Sequence, residues 1–416
     1  MSKTLMIKAM VLGAVACAFS ATGFAADVQN GHGQGIADST TEVNEAKHEA
    51  VRSNWMDRTD IVVGVGMKDS KETHTQHHAV GSPPRTDLHT VTSKNSKSTE
   101  INKLYIETLQ PITHYDENAK SVVFVQGRIG RSGEKISSYK LDSHLEPARP
   151  AGTFITHDKQ TDKKESLGMN ANIGIGYRRL SKGEHAYVGV NAFYDHVFKG
   201  GYKRVSGGVE YVAGLNEFHA NLYRNLGTDE RKYIGLHGRS VVLGDPTGLY
   251  PYGMDPDQSL YNYGIAAYEN HWMLSEKVAA SGFDVGYSRT FKNARWARVY
   301  ADYYNWRGRE AVRVGYYKLN KRDAIKGFNV GAEFHITPHL TLDAGYKTAS
   351  HHLSGPYATL KYTIGTSKFA WRGGKHSESV ITTARSKMLD KVHRSDMVVQ
   401  ETVENIYEQQ FVDVGL

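Results

Sequence analysis

The stretch MNANIGIGYRRL at residues 169–180 decides the fold class. Taken two residues at a time, Met169, Ala171, Ile173, Ile175 and Tyr177 share one face, and Asn170, Asn172, Gly174, Gly176 and Arg178 share the other. Side chains of an extended strand point alternately to opposite sides, so the pattern predicts a strand with one oily face and one small or polar face. The next segment repeats it: Ala186, Val188, Val190, Ala192 and Tyr194 oppose Tyr187, Gly189, Asn191, Phe193 and Asp195. Further on, Phe328, Val330, Ala332 and Phe334 oppose Asn329, Gly331, Glu333 and His335.

Such alternation suits a soluble sandwich as well as a membrane barrel. Three features favour the barrel. The less oily face carries Asn172, Arg178, Asn191, Asp195, Glu210, Asn221, Asp284, Asp302, Glu333, Asp343 and Lys361, which would be costly in a dry core and are at home lining a hydrated pore. Tyrosines recur near strand ends (Tyr177, Tyr194, Tyr211, Tyr287, Tyr303, Tyr346, Tyr362), where aromatic girdles meet the membrane interfaces. Tight turns alternate with long polar connections, as a barrel with short periplasmic turns and long external loops requires.

The predicted architecture is all-β: an antiparallel transmembrane barrel of about twelve strands over residues 59–366. The strands are 61–68, 101–112, 121–130, 168–180, 184–198, 202–213, 217–226, 281–291, 295–306, 327–337, 339–347 and 356–364. Residues 70–100, 131–167, 227–280 and 307–326 are read as external loops, with 312–319 as an extra strand pair above the membrane.

Outside the barrel, residues 1–25 read as a secretory signal: Lys3 and Lys8, then an apolar run from Ala9 to Phe19, then small residues up to Ala25. Residues 26–58 read as a polar periplasmic arm, too short for a wall-binding module, and 367–416 as a linker and tail. The sole cysteine, Cys17, lies in the signal, so the mature chain has neither disulfides nor thiolate metal sites, and Ala14 argues against lipidation. A mean hydropathy of −0.50 with no other long apolar run excludes a helical membrane protein. The formal charge of +7 is scattered instead of forming one basic tract, which argues against nucleic acid.

Chemical sites are not expected. His74, His77 and His78, or His351 and His352, lack the companion ligands of a metal centre. Asp255, Asp257 and His271 share one loop without any fixed geometry, and Gly64-Val65-Gly66 is followed by no helix that would make it a dinucleotide fingerprint. No cofactor, metal or enzymatic activity is predicted.

Several stretches resemble the β-domain of the intimin and invasin group, the inverse autotransporters of type V secretion. They are FVQGRIG at 124–130, NIGIGYRRL at 172–180, VGVNAFYDH at 188–196, RVSGGVEY at 204–211, ASGFDVGY at 280–287 and ITPHLTL at 336–342, in matching order and spacing. The resemblance implies a twelve-stranded barrel with its N-terminus in the periplasm and its C-terminal chain returning through the pore to the surface. SKMLDKVHRSDMVVQE at 386–401 looks like the family's pore linker.

The residues themselves support two pieces there. Ile381, Ala384, Met388, Leu389 and Val392 recur at helical spacing, with Ser377 or Ser379 as an N-cap, and Met397, Val398 and Val399 begin an extended run. A helix docked on a soluble domain would show the same spacing. Since ten extended residues span about 30 Å, residues 396–406 are expected to cross the membrane. Arg385, Lys387, Lys391 and Arg394 are expected to be held by Asp195, Glu210, Asp284, Asp302, Glu333 and Asp343 as an electrostatic plug, with Met388, Val392, Met397 and Val398 as its apolar members.

Two departures from the family pattern shape the functional expectation. The chain given stops at Leu416, which leaves no room for a folded passenger, and the arm lacks a recognisable peptidoglycan-binding module. The expected role is therefore a monomeric outer-membrane translocator, exporting its own tail or serving a separate secreted passenger. The alternative is a surface adhesin or structural barrel acting through its loops on a host-cell receptor. Expected partners are outer-membrane lipid, lipopolysaccharide and the barrel-assembly machinery, which would read a signal near Phe369 or Trp371.

Overall fold

The computed structural model describes residues 55–413 except 81–84, 116–117, 142–144, 149–152, 227–229, 243–264, 309, 311, 315–316, 320–321, 351–353, 366–368 and 374–383. The expected signal, most of the arm, His351, His352, Asp255, Asp257, Ser377, Ser379 and Ile381 lie outside the described residues.

A short 3₁₀ turn, Trp55–Arg58, leads into the strands. These are β1 (Thr59–Val80), β2 (Arg85–Pro111), β3 (Ser121–Arg131), β4 (Glu134–Leu141), β5 (Leu145–Ala148), β6 (Thr153–Ser166), β7 (Met169–Leu180), β8 (Ala186–Val197), β9 (Lys203–Ala213) and β10 (Asn216–Asn225). There follow β11 (Glu230–Val242), β12 (Ile265–Ala279), β13 (Gly282–Phe291), β14 (Ala294–Trp306), β15 (Val312–Val314), β16 (Tyr317–Leu319), β17 (Ile325–Thr337), β18 (Leu340–Lys347), β19 (Gly355–Thr363) and β20 (Val398–Asp413).

Twelve of them form a closed antiparallel ring in the order β1, β2, β3, β7, β8, β9, β10, β13, β14, β17, β18, β19. The ring closes where Asp60 to Val65 of β1 pair with Thr363 to Ala358 of β19. These are the twelve strands that the alternation predicts, and β15 and β16 form the expected extra pair. No helix among the described residues is long and apolar enough to cross a membrane.

Burial is inverted relative to a soluble protein. Ile173, Ile175, Val188, Val190, Val209, Leu222 and Phe328 are exposed, whereas Asn170, Arg178, Asp195, Arg204 and Asp284 are buried. An apolar belt of this size facing water would drive aggregation, but facing hydrocarbon it is the stable arrangement, because closure leaves no strand edge unpaired. Tyr177, Tyr194, Tyr211 and Tyr362 stand exposed on the outer face. Inside, glycines make room for large neighbours: a Cβ on Gly174 would meet the Phe193 ring at 2.2 Å, and one on Gly176 the Phe124 ring at 2.2 Å.

The regions read as long external loops are mostly strand. β1 and β2 continue past the ring as a hairpin pairing Lys68 with Ser98 and His78 with Leu88, and β6 adds to the free side of β1. β4 pairs β6, β11 pairs β12, and β20 lies between β4 and β12. This sheet, running β11, β12, β20, β4, β6, β1, β2, rises from the rim that carries the long connections. Its strands escape sequence reading because water lies near both faces, so no oily period develops.

The outer belt makes a depth-dependent prediction. Leu222 lies mid-strand and is 70% exposed, while Phe291 ends β13 at the short-turn rim. Leu222→Arg should lower unfolding stability in lipid vesicles by roughly 2–4 kcal/mol and Phe291→Arg by only about 0–1 kcal/mol. Urea titration followed by heat-modifiable gel migration reads the difference, and equal losses would contradict a hydrocarbon-facing belt.

Candidate functional site: the barrel lumen and the segment within it

Residues 384–397 occupy the lumen, and their contacts climb from one rim to the other. At the short-turn rim, Arg385 donates to both carboxylate oxygens of Glu184 (2.7 and 2.8 Å) and to Ala119 O (3.1 Å). Higher up, Arg178 Nη1 donates to Met388 O (2.9 Å) and Asp390 O (2.5 Å), and Val392 N donates to Gln126 Oε1 (2.9 Å). Then Asn221 Nδ2 donates to His393 O (3.0 Å), and Ser395 N donates to Tyr223 Oη (2.8 Å). At the long-loop rim, Arg204 donates to Ser395 O and Asp396 O (3.0 and 3.3 Å), and Glu134 N donates to Met397 O (3.0 Å). A chain without a ladder of its own must have its backbone satisfied by the wall, and that is what these donors do.

The segment's lysines and arginines are paired. Arg394 makes a two-pronged bond to Asp195 (2.8 and 2.6 Å) and reaches Ser206 Oγ (3.2 Å). Lys387 bonds Glu217 and Thr290, and Lys391 bonds Asp60. Asp396 runs the other way, accepting from Arg128 (2.7 Å) with Lys103 3.6 Å off. Guanidinium planes also lie on rings: Arg178 over Phe124 (4.6 Å), Arg204 over Tyr223 (4.3 Å) and Arg394 over Phe193 (4.4 Å). Buried ions are tolerable only in such company.

One side of the lumen is apolar. Ala384, Met388 and Val392, spaced by four, pack on Leu109, Tyr115, Val122, Phe124, Leu180, Tyr187, Phe193 and Val212. Met397 packs with Leu167, Val197, Ala279 and Val399, and Val398 with Tyr223, Tyr304, Trp306 and Ile325. Opposite, a polar cavity of about 280 Å³ remains between the segment and a wall that includes Lys103, Tyr105, Arg298, Tyr300, Asp302 and Lys361.

The residues read as pore-lining are distributed as follows. Asp195 meets Arg394, Asp284 accepts from Ser395 N (3.1 Å), and Arg178 and Asn221 hold segment carbonyls. Glu210 is taken by Arg178, Glu333 by Arg298 and Lys361, Asp302 by Asn329, and Asp343 by Tyr300, all within the wall. Asn172, with its amide oxygen turned inward, accepts from Arg128 (2.9 Å), and the Nδ2 of Asn191 has no partner among the described residues. Three carboxylates that receive segment cations, Asp60, Glu184 and Glu217, were not anticipated. They sit at a strand start, in a turn and near a turn, where the period-two signal that finds lumen positions is weakest.

Two expectations for the segment need correction. Among the described residues only 384–386 are helical, followed by turns in which Met388 N bonds Arg385 O and Asp390 N bonds Lys387 O. The extended run from 398 onward does not lie against the lumen wall: it is β20, paired in the raised sheet, and the contacts that run from rim to rim are made by the irregular residues before it. Side-chain anchors on the wall replace the strand geometry that the spacing suggested.

Above the rim, Glu401 accepts from Lys135 (2.7 Å), Lys277 (2.8 Å) and Ser137 (3.2 Å). Burial favours the neutral acid there, but the two lysines outweigh it and hold the Glu401 carboxyl below its ordinary range. Burial likewise opposes the charge on Lys135, which its bonds to Glu401 and Glu165 nevertheless raise to about 12.

A closed antiparallel ring, oily outside, with a chain segment in its lumen, is a transmembrane β-barrel, and its family makes it an outer-membrane translocator. Residues 145–396, more than half of the chain, match the family model for the inverse autotransporter, beta-domain, and the chain belongs to that family, which is not a family of enzymes. No curated protein matches it. Among solved structures it is similar to a membrane protein crystallised in meso (13% identical, covering 83% of this chain and 100% of that one, TM-score 0.42). It is also similar to the translocator domain of the autotransporter NalP from Neisseria meningitidis (11%, 78% and 95%, TM-score 0.21) and the beta domain of the Bordetella autotransporter BrkA (9%, 71% and 99%, TM-score 0.21). At those scores the likenesses add no weight to the family match.

The Arg385 and Glu184 pair offers a clean test of the plug. Reversing either charge alone leaves buried like charges opposed, at a cost of roughly 3–5 kcal/mol. Arg385→Glu or Glu184→Arg should therefore raise single-channel conductance in planar bilayers, and the double reversal should bring it back down. Unchanged conductance in both single variants would show that this anchor does not seal the lumen.

Proposed function

We propose that this barrel carries its own C-terminal segment from the periplasm to the cell surface, with the N-terminus periplasmic and the residues after 397 outside. The support is the ordered run of contacts from Arg385 at the short-turn rim to Asp396 at the long-loop rim. Short turns belong on the periplasmic side of outer-membrane barrels and long connections outside. The wall offers the moving chain both an apolar track and fixed charges, so a hairpin drawn through the pore stops when Arg385, Lys387, Lys391 and Arg394 meet their carboxylates. Service to a separately encoded secreted partner would use the same vacated lumen.

A second reading, surface adhesion, is favoured by one observation: β2 extends beyond the ring as an exposed polar edge over residues 90–99. The two readings are compatible, because the raised sheet includes the exported strand.

An epitope tag after Leu416 tests the export reading. On intact cells the tag should bind antibody and be removed by added protease. A tag reached only after the outer membrane is permeabilised would overturn the proposed orientation.

A further inference from the structure

Between β4 and β12 lies a slot one strand wide. β20 fills it, running parallel to β4 where Val398–Asn405 pair with Glu134–Leu141, and antiparallel to β12 from Val399 opposite Ala279 to Asp413 opposite Ile265. β12 ladders with β11 and β20, and in the described pairings the β11–β12 hairpin reaches the rest of the sheet through β20. A lone two-stranded hairpin is marginal in water, and an unpaired strand edge is a template for another strand. Without β20, both β4 and β12 would present such edges.

The slot also has side-chain preferences. At one position Lys135 and Lys277, from opposite walls, clamp the Glu401 carboxylate, with Ser137 adding a third bond. One residue earlier, on the other face, Gln400 is 3% exposed and lies in register between Ile136 and Val278. Neither its Nε2 nor its Oε1 has a hydrogen-bond partner among the described residues. The slot thus suits an apolar residue followed by a carboxylate, and the strand now in it meets the second requirement and fails the first.

We propose that the slot is a strand-binding site, occupied in this structure by residues 398–413 of the chain itself, and that it holds this segment by β-augmentation without needing the covalent link to the lumen. The occupant is read by its backbone and by the carboxylate of Glu401, and its hold is weakened by the mismatched Gln400.

The test uses the full chain, purified in detergent, with a protease recognition sequence inserted between Met397 and Val398. This separates the result from any question of membrane orientation. After cleavage, the 398–413 strand should stay with the barrel through size-exclusion chromatography. A fluorescent peptide of the same sequence should then exchange with it; a Glu401→Ala peptide should compete about tenfold less well, and a Gln400→Met peptide about tenfold better. A second arm needs no insertion: in the full chain carrying Glu401→Lys, whose strand is repelled by both lysines, the labelled wild-type peptide should enter the slot while heat-modifiable migration reports an intact ring. Immediate loss of the cut strand, uptake insensitive to the Glu401 and Gln400 substitutions, or no uptake in the second arm would each overturn the proposal.

Discussion

The lumen is the constraint on which the rest depends. A twelve-stranded ring encloses more space than its own side chains fill, and here a single segment of the chain takes up much of that space. Whatever chain lies there is cut off from bulk water along much of its length, so its amides, carbonyls and charges must find partners on the wall. The observed segment meets that requirement unevenly. Arg178, Arg204, Asn221, Tyr223 and Gln126 serve its backbone, and Asp60, Glu184, Asp195 and Glu217 serve its cations.

The wall charges fall into two kinds. Glu210 with Arg178, and Glu333 with Arg298 and Lys361, neutralise each other inside the wall whether or not the segment is present. Glu184, by contrast, is bound to Arg385, and Asp396 supplies the carboxylate for Arg128. The first kind lets the ring tolerate buried charge without help from the segment. The second rewards one resting position of that chain. The apolar patch of Leu109, Phe124, Leu180 and Tyr187 adds attraction without direction, since it would accept other apolar side chains as readily as Met388 and Val392.

How much of this was legible follows from where water and hydrocarbon lie. Strands such as β7 and β8 are read directly, because one face meets lipid and the other the lumen, and the two environments write opposite chemistry at alternate positions. The raised strands are not. β4 reads EKISSYKL, and residues 90–99 of β2 read TVTSKNSKST, neither of which carries an oily period. β20 shows an extended run, but its partners lie more than a hundred residues away in β4 and β12, and nothing local names them. The lumen carboxylates divide in the same way: Asp195, still within the alternating run of β8, is found by alternation, while Asp60 and Glu184 sit at a strand start and in a turn, beyond its reach.

Lumen and raised sheet are tied by register. Asp195 fixes Arg394, and seven residues on, Lys135 and Lys277 fix Glu401, with the bond from Glu134 N to Met397 O between them. A slip of one residue in β20 would turn every side chain to the opposite face, bringing Glu401 between Ile136 and Val278 and leaving both lysines without their carboxylate. The same slip would draw Arg394 away from Asp195 unless the intervening turn absorbed it. Each anchor therefore narrows the positions open to the other, and the two together define one register for the segment and β20.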